Sequence, residues 1–321
     1  MGANTIGGGN TMASMPALRE VTSALRFPEG PVALPDGSVL VVEIEARRLT
    51  RVAPDGGKTT VSQHSGGPNG AAMGPDGKVY ICNNGGFSWH EDAQYGLRPT
   101  GQAEDYSGGR IERVDLASGA IETLYTHCDG QLLRGPNDLV FDAHGGFYFT
   151  DLGKTRAREM DRGAVYYAKA DGSLIKVVAS PTVNANGCAL SPDGKKLYFA
   201  ETESARLWEM DILAPGQVRR EPWPSPHGGR LLGWAGGTYH RLDSMAVDSA
   251  GNVCVATLIH GGITVYNPHG KGWTHIPLPD IYTTNICFGG PDLRTAYVTL
   301  SCTGKLVAFQ WERPGLRLNH Q

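Results

Sequence analysis

Residues 135–151 read GPNDLVFDAHGGFYFTD, in which two apolar runs flank a turn rich in glycine. Apolar runs on both sides of such a turn predict a β-hairpin. A strand that enters a core has no evident need to begin with Asn137 and Asp138. These two polar residues therefore need an explanation of their own, and the rest of the chain supplies one.

The hairpin phrase recurs along the chain. Five copies begin with Glu, Asn or Asp and carry a Gly eight residues later, while a sixth has Leu293 at the Gly position. The copies are EGPVALPDG from Glu29, NGAAMGPDG from Asn69, NDLVFDAHG from Asn137, NGCALSPDG from Asn186, DSMAVDSAG from Asp243 and NICFGGPDL from Asn285. A second apolar run follows each copy, and a third often follows the second. Six units of about 40–65 residues, with three or four strands each, predict an all-β fold, the six-bladed β-propeller.

The repeat also indicates the domain organisation. We expect one propeller domain over residues 16–321, with its last blade completed by a strand from residues 18–25. Residues 1–15 lack the basic start and the apolar core of a secretion signal. We expect them to be a disordered leader or a remnant of cloning.

Composition excludes several classes of function. The net charge of −3 gives no basic face for nucleic acid, and no apolar stretch approaches the ~18 residues of a membrane span. The six cysteines include no CxxC pair, which predicts buried, reduced thiols in a cytoplasmic protein. The chain has neither a GxSxG elbow nor a phosphate-binding loop, so a serine hydrolase and an NTPase are not indicated. The sequence sets no oligomeric state.

The polar residue that starts each copy has a place in this fold. The innermost strand of each blade lines the central channel of a propeller, so these residues should form a ring at one end of it. The predicted ring consists of Glu29, Asn69, Asn137, Asn186, Asp243 and Asn285. Asn and Asp also cap turns, but capping does not account for all six positions or for Glu29. Carboxylates and carboxamides together are ligands for a hard divalent cation, so the sequence predicts a metal site at this end of the channel.

Two further groups of residues should lie near the ring. The second strands end at Glu43, Asn83, Asp151, Glu201 and Thr257. These side chains would surround the metal or contact a substrate, or they would be solvated strand ends. The loop after the second strand of blade two has about 25 residues, among them Trp89, His90, Tyr95, Arg98 and Tyr106. We expect a lid or a pocket wall there, and the alternative is a surface excursion whose aromatic rings pack on the blade.

Five phrases in order resemble the SMP-30/gluconolactonase/luciferin-regenerating enzyme family: FPEGPVALPDG, GPNDLVFDAHGGFYFTD, NGCALSPDGKKLYFAET, LDSMAVDSAGNVCVA and TTNICFGGPDLRTAYVT. The resemblance runs over residues 27–309. It implies a metal-dependent hydrolase that opens a lactone, a cyclic carboxylic ester. It also implies one divalent cation, held by Glu29, Asn137, Asn186 and Asp243. Calcium is the expected ion, with Mg²⁺, Mn²⁺, Zn²⁺ and Fe²⁺ left open.

The resemblance and the ring together suggest roles for individual residues. We expect Asp243 to accept the proton of the attacking water, with Asp151 and Glu201 as competing bases because a metal-bound carboxylate is a weak base. We expect Asn137 to orient water or substrate as well as to hold the metal. The predicted substrate contacts are Asn69, Asn83, Trp89, His90, Tyr106 and Arg134.

Two departures from the family pattern bear on specificity. Animal members of this family place an Arg two residues before Asn137, where this chain has Gly135, and many members have Gly where this chain has Ser244. The substrate is therefore either a sugar lactone or a more apolar lactone. The alternative functions are a phosphotriesterase-like hydrolase on the same metal site, a non-catalytic binding propeller with a structural metal, and a strictosidine-synthase-like propeller.

Overall fold

The structure, a computed structural model, describes residues 4–5, 9–234, 238–267 and 272–321. This part of the chain contains strands and turns, with no helix. Consequently, no described helix is long and apolar enough to cross a membrane.

Six sheets are arranged around one channel, and two further two-stranded hairpins lie outside them. The N-terminal segment contributes β1 (Asn4–Thr5), β2 (Thr11–Met12) and β3 (Arg19–Thr22). Blade one contains β4 (Pro28–Ala33), β5 (Val39–Glu43), β6 (Arg48–Val52) and β7 (Lys58–Gln63). Blade two begins with β8 (Pro68–Met73) and β9 (Val79–Asn83), continues through a separate hairpin of β10 (Phe87–Asp92) and β11 (Gly96–Gln102), and ends with β12 (Arg110–Val114) and β13 (Ile121–Tyr125).

A short hairpin, β14 (His127–Cys128) and β15 (Gln131–Leu132), leads into blade three. Blade three contains β16 (Pro136–Phe141), β17 (Gly146–Asp151), β18 (Gly163–Lys169) and β19 (Ile175–Thr182). Blade four contains β20 (Ala185–Leu190), β21 (Lys196–Glu201), β22 (Arg206–Ala214), β23 (Gln217–Val218) and β24 (Arg230–Trp234). Blade five contains β25 (Arg241–Val247), β26 (Val253–Leu258), β27 (Gly262–Tyr266) and β28 (Trp273–Pro277). Blade six contains β29 (Thr283–Gly289), β30 (Thr295–Leu300) and β31 (Lys305–Gln310).

The innermost strands close a ring. β4, β8, β16, β20, β25 and β29 each contact the next, and β29 contacts β4 again. The last blade is completed by β3, which pairs antiparallel with β31, so the predicted closing strand is confirmed. These observations confirm the six-bladed β-propeller.

The N-terminal segment makes one further contact with the propeller. β2 runs parallel to β28 on the outer edge of blade five, with Thr11 opposite Thr274 and Met12 opposite His275. β1 pairs with β2. Part of the predicted leader, residues 1–15, is therefore paired, while residues 1–3 and 6–8 lie outside the described residues. The domain boundary at residue 16 stays a prediction.

Apolar side chains fill the space between neighbouring blades. Six buried clusters each combine residues of two adjacent blades. The alternation of the strands explains this arrangement, because successive side chains point to opposite faces of a sheet and both faces of a blade meet a neighbour. All six cysteines are buried and without disulfide bonds, as predicted, and Cys82, Cys188, Cys254 and Cys287 belong to these clusters.

A register shift marks the start of every inner strand. The pairing of first and second strands slips at Glu29–Val32, Pro68–Ala71, Pro136–Leu139, Ala185–Cys188, Leu242–Met245 and Thr283–Asn285. Such β-bulges leave residues unpaired and change the direction of their side chains. They occur at the ring positions in all six blades, which directs these polar side chains to the channel rather than into the sheet.

Candidate functional site

The ring residues meet at a cavity at one end of the channel, here called the mouth cavity. It has a volume of about 390 Å³, and five of the six predicted ring residues line it: Glu29, Asn69, Asn137, Asn186 and Asp243. All five are buried. Asn285, the sixth, lines a second cavity of about 310 Å³ at the far end. Its Nδ2 donates a hydrogen bond of 2.7 Å to Glu29 Oε2, so it orients a ring carboxylate from below.

Glycine lets the inner strands approach one another at the ring. Gly70 follows Asn69, and a Cβ atom there would lie 2.4 Å from the carbonyl oxygen of Asn137 in the next blade. Gly30 and Gly187 have the same position in blades one and four and the same close approach. Any larger residue at these positions would push neighbouring blades apart and widen the ring.

Blades three and five carry a side chain where these glycines stand. In blade five it is Ser244, whose hydroxyl donates towards Asn186 Oδ1 at 3.4 Å and Glu29 Oε1 at 3.5 Å. In blade three it is Asp138, whose carboxylate accepts hydrogen bonds from the backbone N–H groups of Leu139 and Cys188 at 2.9 and 3.3 Å. Sequence reasoning did not assign Asp138 a role, although its place next to a ring residue was the available signal.

Three buried carboxyl groups thus lie in the channel: Glu29 and Asp243 line the mouth cavity, and Asp138 lines the cavity at the far end. Burial raises the pKa of Asp243 to about 8, and the nearby charge of Asp138 adds to the effect. Burial raises the pKa of Glu29 well above its ordinary value, with a further contribution from Asp243. Burial also raises the pKa of Asp138 to about 7. Like charges at this density favour a bound cation, which would return the groups to their ionised forms.

The residues present fit a divalent cation. The side-chain oxygen Oδ1 of Asn137 is buried and has no hydrogen-bond partner within the described residues. This buried acceptor, which also lines the mouth cavity, is therefore free to bind a cation or a water molecule. In the described ranges no three His, Cys, Asp or Glu side chains form a metal cluster, so any ion here would need the amide oxygens of Asn as well as the two carboxylates. An all-oxygen donor set suits a hard ion such as Ca²⁺.

The residues at the ends of the second strands turn away from the cavity. The carboxylates of Glu43, Asp151 and Glu201 accept hydrogen bonds of 2.7–2.8 Å from backbone N–H groups in the loop that leads into the first strand of the same blade. Thr257 bonds to the hydroxyl of Thr264 at 2.7 Å. The described lining of the mouth cavity includes none of these side chains. They hold the loops that carry the ring, and they do so in at least three blades.

Asn83 has the same supporting role in blade two. Its Oδ1 accepts from the backbone N–H groups of Gly67 and Gly85 at 2.9 and 3.0 Å. Its Nδ2 donates to Ser65 O at 2.8 Å and to Glu112 at 3.1 Å. All four bonds lie inside the blade, which places this predicted substrate contact away from the mouth cavity.

The predicted proton acceptors differ in their surroundings. Asp151 has both oxygens occupied by backbone N–H groups, those of Arg134, Gly135 and Gly153. The second oxygen of Glu201 accepts from the side chains of Ser204 and Trp208. Asp243 is the predicted proton acceptor that lines the mouth cavity.

The long segment of blade two forms the wall of the cavity. It contains the hairpin β10–β11, of which Phe87 and residues 98–101 line the mouth cavity. The tip is attached to blade six, where Leu97 N donates to Cys302 O at 3.1 Å, and the base is attached to blade three, where Gln102 N donates to Thr155 O at 3.0 Å. A Cβ at Gly96 would lie 2.2 Å from the same Cys302 oxygen, so only glycine allows this approach.

Four predicted substrate contacts lie behind or beside this wall. Trp89 packs on Phe27 with ring centroids 5.0 Å apart, and His90 is exposed. Tyr106 donates to the carbonyl of Arg134 at 2.6 Å, and the Arg134 side chain is exposed. None of these four side chains belongs to the described cavity lining, whereas Asn69 does.

A buried lysine stabilises the base of the wall. The Lys154 ammonium donates to Asn84 Oδ1 at 3.1 Å and to Gly86 O at 2.9 Å. It also lies 4.0 Å from the ring centroid of Phe87 and 5.4 Å from that of Tyr106. Burial lowers the pKa of Lys154 to about 7, while the carbonyl and ring contacts favour its charged form.

Sequence reasoning missed several residues that line the mouth cavity. They include Asn184, Thr202, Arg241 and Tyr282, whereas Arg98 was expected only as part of the lid or wall. Asn184 and Arg241 stand two residues before the ring residues of blades four and five, as Phe27 does in blade one. Aligning the repeat at that position would have found all three.

The fold and the ring define a six-bladed propeller with an oxygen-lined site at one end of its channel. The family described as SMP-30/Gluconolactonase/LRE-like region matches residues 27–302, and the chain belongs to this family.

Named relatives share most of its length. The gluconolactonase of Zymomonas mobilis is 26% identical over 84% of this chain and 75% of its own. The lactonase drp35 of Staphylococcus saprophyticus is 28% identical over 76% of this chain and 67% of its own. Among solved structures, the calcium-binding protein regucalcin of Agrobacterium tumefaciens superimposes with a TM-score of 0.73 at 20% identity, covering 96% of this chain and 99% of that one.

Proposed function

We propose that this protein hydrolyses a lactone to the corresponding hydroxy acid. The proposal rests on the family to which the chain belongs, whose relatives include a gluconolactonase and a lactonase. The observation that carries it in this structure is the buried ring of carboxylate and amide oxygens at the mouth cavity. The relatives do not favour the phosphotriesterase-like or the non-catalytic alternatives.

Four ring residues would hold a divalent cation: Glu29, Asn137, Asn186 and Asp243. Calcium is the expected ion because every donor is oxygen and the ring contains neither His nor Cys. When bound, the cation would act as a Lewis acid that polarises the lactone carbonyl and stabilises the charge that develops on its oxygen.

The protein's own groups have separate tasks in this reaction. Water adds to the lactone carbonyl, the ring C–O bond breaks, and the products are a carboxylate, a hydroxyl group and a proton. We assign Asp243 as the acceptor of that water's proton, and its position in the lining of the cavity supports this assignment. Asn69 and Asn137 present amide groups that orient water or the ester. The β10–β11 wall shields the cavity from bulk water, which strengthens these polar contacts.

The proposed cytoplasmic location rests on the cysteines. All six are buried and form no disulfide, as expected for a chain that folds in a reducing compartment.

The test is hydrolysis of a panel of sugar, alkyl and aryl lactones, with a phosphotriester included. Acid release would be followed by a pH indicator after EDTA treatment and after addition of single metals. We expect a lactone to be hydrolysed, turnover to stop with EDTA and return with calcium, and Asp243→Ala to lose both activity and metal binding. Full turnover by Asp243→Ala would remove that residue from the mechanism. Turnover of the phosphotriester alone would overturn the proposed function.

A further inference from the structure

Two arginines face the mouth cavity, and the mechanism above uses neither. Arg98 lies on β11 of the wall, and Arg241 is the first residue of β25, two positions before Asp243. Arg241 is partnered, since its guanidinium lies 3.2 Å from Glu203 and donates to the Tyr239 hydroxyl at 2.9 Å.

Arg98 differs because its guanidinium has no bonded partner among the described residues, although the charge of Asp92 on the same hairpin interacts with it at longer range. Its side chain is half-buried, and across residues 4–5, 9–234, 238–267 and 272–321 it forms no hydrogen bond or ion pair. A guanidinium presents five donors in a fixed fork, and leaving it unpaired at a partly desolvated position is unfavourable. A cavity-facing cation of this kind therefore indicates a ligand that is not part of the chain.

The position of Arg98 is fixed by its neighbours rather than by its own side chain. The preceding residue, Leu97, is buried and donates its N–H to Cys302 O of blade six at 3.1 Å. Pro99, the next residue, is opposite Trp89 across the hairpin. Because Leu97 and Pro99 on either side are held in place, the wall presents Arg98 to the cavity in a fixed position.

Both arginines line the mouth cavity together with Tyr282. Burial raises the pKa of the Tyr282 hydroxyl, and the charges of Arg241 and Arg98 oppose that rise. The charge of Asp243 also acts on this hydroxyl. The two arginines and Tyr282 thus supply hydrogen-bond donors to one cavity of about 390 Å³, which also holds the ring residues.

We propose that Arg98, with Arg241 beside it, binds an anionic group of the substrate, so that the protein acts on an acidic lactone. The inference rests on the proposed lactone hydrolysis and adds the class of lactone. Carboxylate and phosphate groups both match the guanidinium fork in a bidentate manner. An anion bound between the two guanidinium groups also offsets the electrostatic repulsion between them. A neutral hydroxyl group would not.

The matching position of the repeat in blade three is Gly135, and it cannot supply this contact. A Cβ at Gly135 would lie 2.4 Å from the carbonyl oxygen of Gly153, so a side chain does not fit without movement of the backbone. The arginine at the matching position of the repeat stands instead in blade five, as Arg241. The proposed contacts to the substrate anion therefore come from blade five and from the β10–β11 wall.

The experiment compares three lactones with the calcium-loaded protein and three of its forms. The probes are neutral D-glucono-1,5-lactone, carboxylate-bearing D-glucaro-1,4-lactone and phosphate-bearing 6-phospho-D-glucono-1,5-lactone. The forms are wild type, Arg98→Gln and, as a matched control, Arg158→Gln, which removes the same charge from an exposed position on the blade-three loop at the same end of the propeller.

We expect the wild type to prefer one acidic lactone over the neutral one, and the preferred probe then tells carboxylate from phosphate. Arg98→Gln should lower kcat/KM for that probe about 10–150-fold, the loss of a charged hydrogen bond of ~1.5–3 kcal/mol, with most of the change in KM. The neutral lactone should change less than about threefold, and Arg158→Gln should leave both rates unchanged. Equal losses on neutral and acidic lactones, or no preference in the wild type, would overturn the inference while leaving the proposed function intact.

A binding measurement distinguishes failure of the anion site from failure of the proposed lactone hydrolysis. Isothermal titration of calcium-loaded protein with D-glucarate, 6-phospho-D-gluconate and D-gluconate does not depend on turnover. If no lactone is hydrolysed, the proposed function fails. Tighter binding of the dicarboxylate or of the phosphate-bearing acid that Arg98→Gln removes would still support the anion site, and equal binding of all three acids would overturn it.

Discussion

Replacing Asn137 by Ala tests whether the ring is built for an ion rather than for stability. The Asn137 side-chain oxygen is buried without a partner in the described residues. Such an acceptor costs about 1–3 kcal/mol of folding free energy. Removing this acceptor should raise the free energy of unfolding by that amount, minus about 1 kcal/mol for lost packing contacts. We therefore expect the metal-free variant to be as stable as the wild type or up to about 2 kcal/mol more stable.

The same substitution should weaken calcium binding. Loss of one ligand oxygen should cost at least as much binding free energy as loss of a charged hydrogen bond, ~1.5–3 kcal/mol. This corresponds to a change in Kd of about 10–150-fold. At a calcium concentration of about 100 Kd the wild type gains ~2.7 kcal/mol, and a variant with a 30-fold higher Kd gains ~0.9 kcal/mol. With an unfolding entropy of ~2.1 cal/mol/K per residue, these gains correspond to Tm shifts of about 4 °C and about 1 °C.

Asn83→Ala is the matched control, because it removes the same amide from the same end of the channel. Asn83 is fully hydrogen-bonded inside blade two. Its loss should cost about 2–4 kcal/mol of stability and leave the calcium-induced Tm shift unchanged. Thermal unfolding by circular dichroism, with EDTA and with calcium, gives the six Tm values of the wild type, Asn137→Ala and Asn83→Ala. The reasoning is refuted if metal-free Asn137→Ala is destabilised as much as Asn83→Ala, or if its calcium shift equals that of the wild type.

Two further changes test the surroundings of the ring, and a third tests a buried histidine on the outer strand of blade five. Ser244→Ala removes a hydroxyl 3.4–3.5 Å from two ring oxygens, so isothermal titration should show calcium binding about twofold to tenfold weaker; unchanged affinity would mean that the hydroxyl does not orient the ligands. Gly70→Ala would place a Cβ 2.4 Å from Asn137 O, and urea unfolding should show a loss of about 2–3 kcal/mol; a neutral effect would contradict the close approach of the blades. Burial, aided by the neighbouring His260, lowers the pKa of His275 to about 4. The unfolded state therefore binds more protons between about pH 4 and 6.5, and up to about 3 kcal/mol of stability is lost as the pH falls through this range. His275→Gln should lose less stability than the wild type between pH 7 and 4.5 in urea titrations, and an identical loss would exclude His275 as a cause.

The repeat made the ring predictable, because turn capping alone does not account for a polar residue at the same position of all six copies. The structure brings five of those residues to one cavity and places Asn285 beneath Glu29. The register shifts that direct them into the channel were not evident in the sequence, since a bulge depends on how two strands pair.

The ends of the second strands were harder to interpret for a physical reason. A carboxylate at a strand end can face a cavity or bond to a neighbouring loop, and tertiary hydrogen bonds decide between the two. Asp151 and Glu201 are held by backbone N–H groups of their own blades. Nothing in the local sequence distinguishes them from Asp243, whose position in the inner strand is the deciding difference.

The long segment of blade two shows the limits of reasoning from composition. Its length and aromatic content predicted a lid or a wall, and the structure contains a two-stranded wall whose tip meets blade six. Which face of a hairpin points inward depends on that distant attachment. The aromatic Trp89 consequently packs behind the wall on Phe27, while Arg98 faces the cavity.

The most direct test of the account is a calcium titration of EDTA-treated protein in which bound metal and lactone turnover are measured on the same samples. The account predicts one calcium ion per chain, turnover that rises in proportion to bound calcium, and loss of both in Glu29→Gln and Asp243→Asn. Full turnover at zero bound metal, or calcium bound at unchanged affinity by both variants, would contradict it.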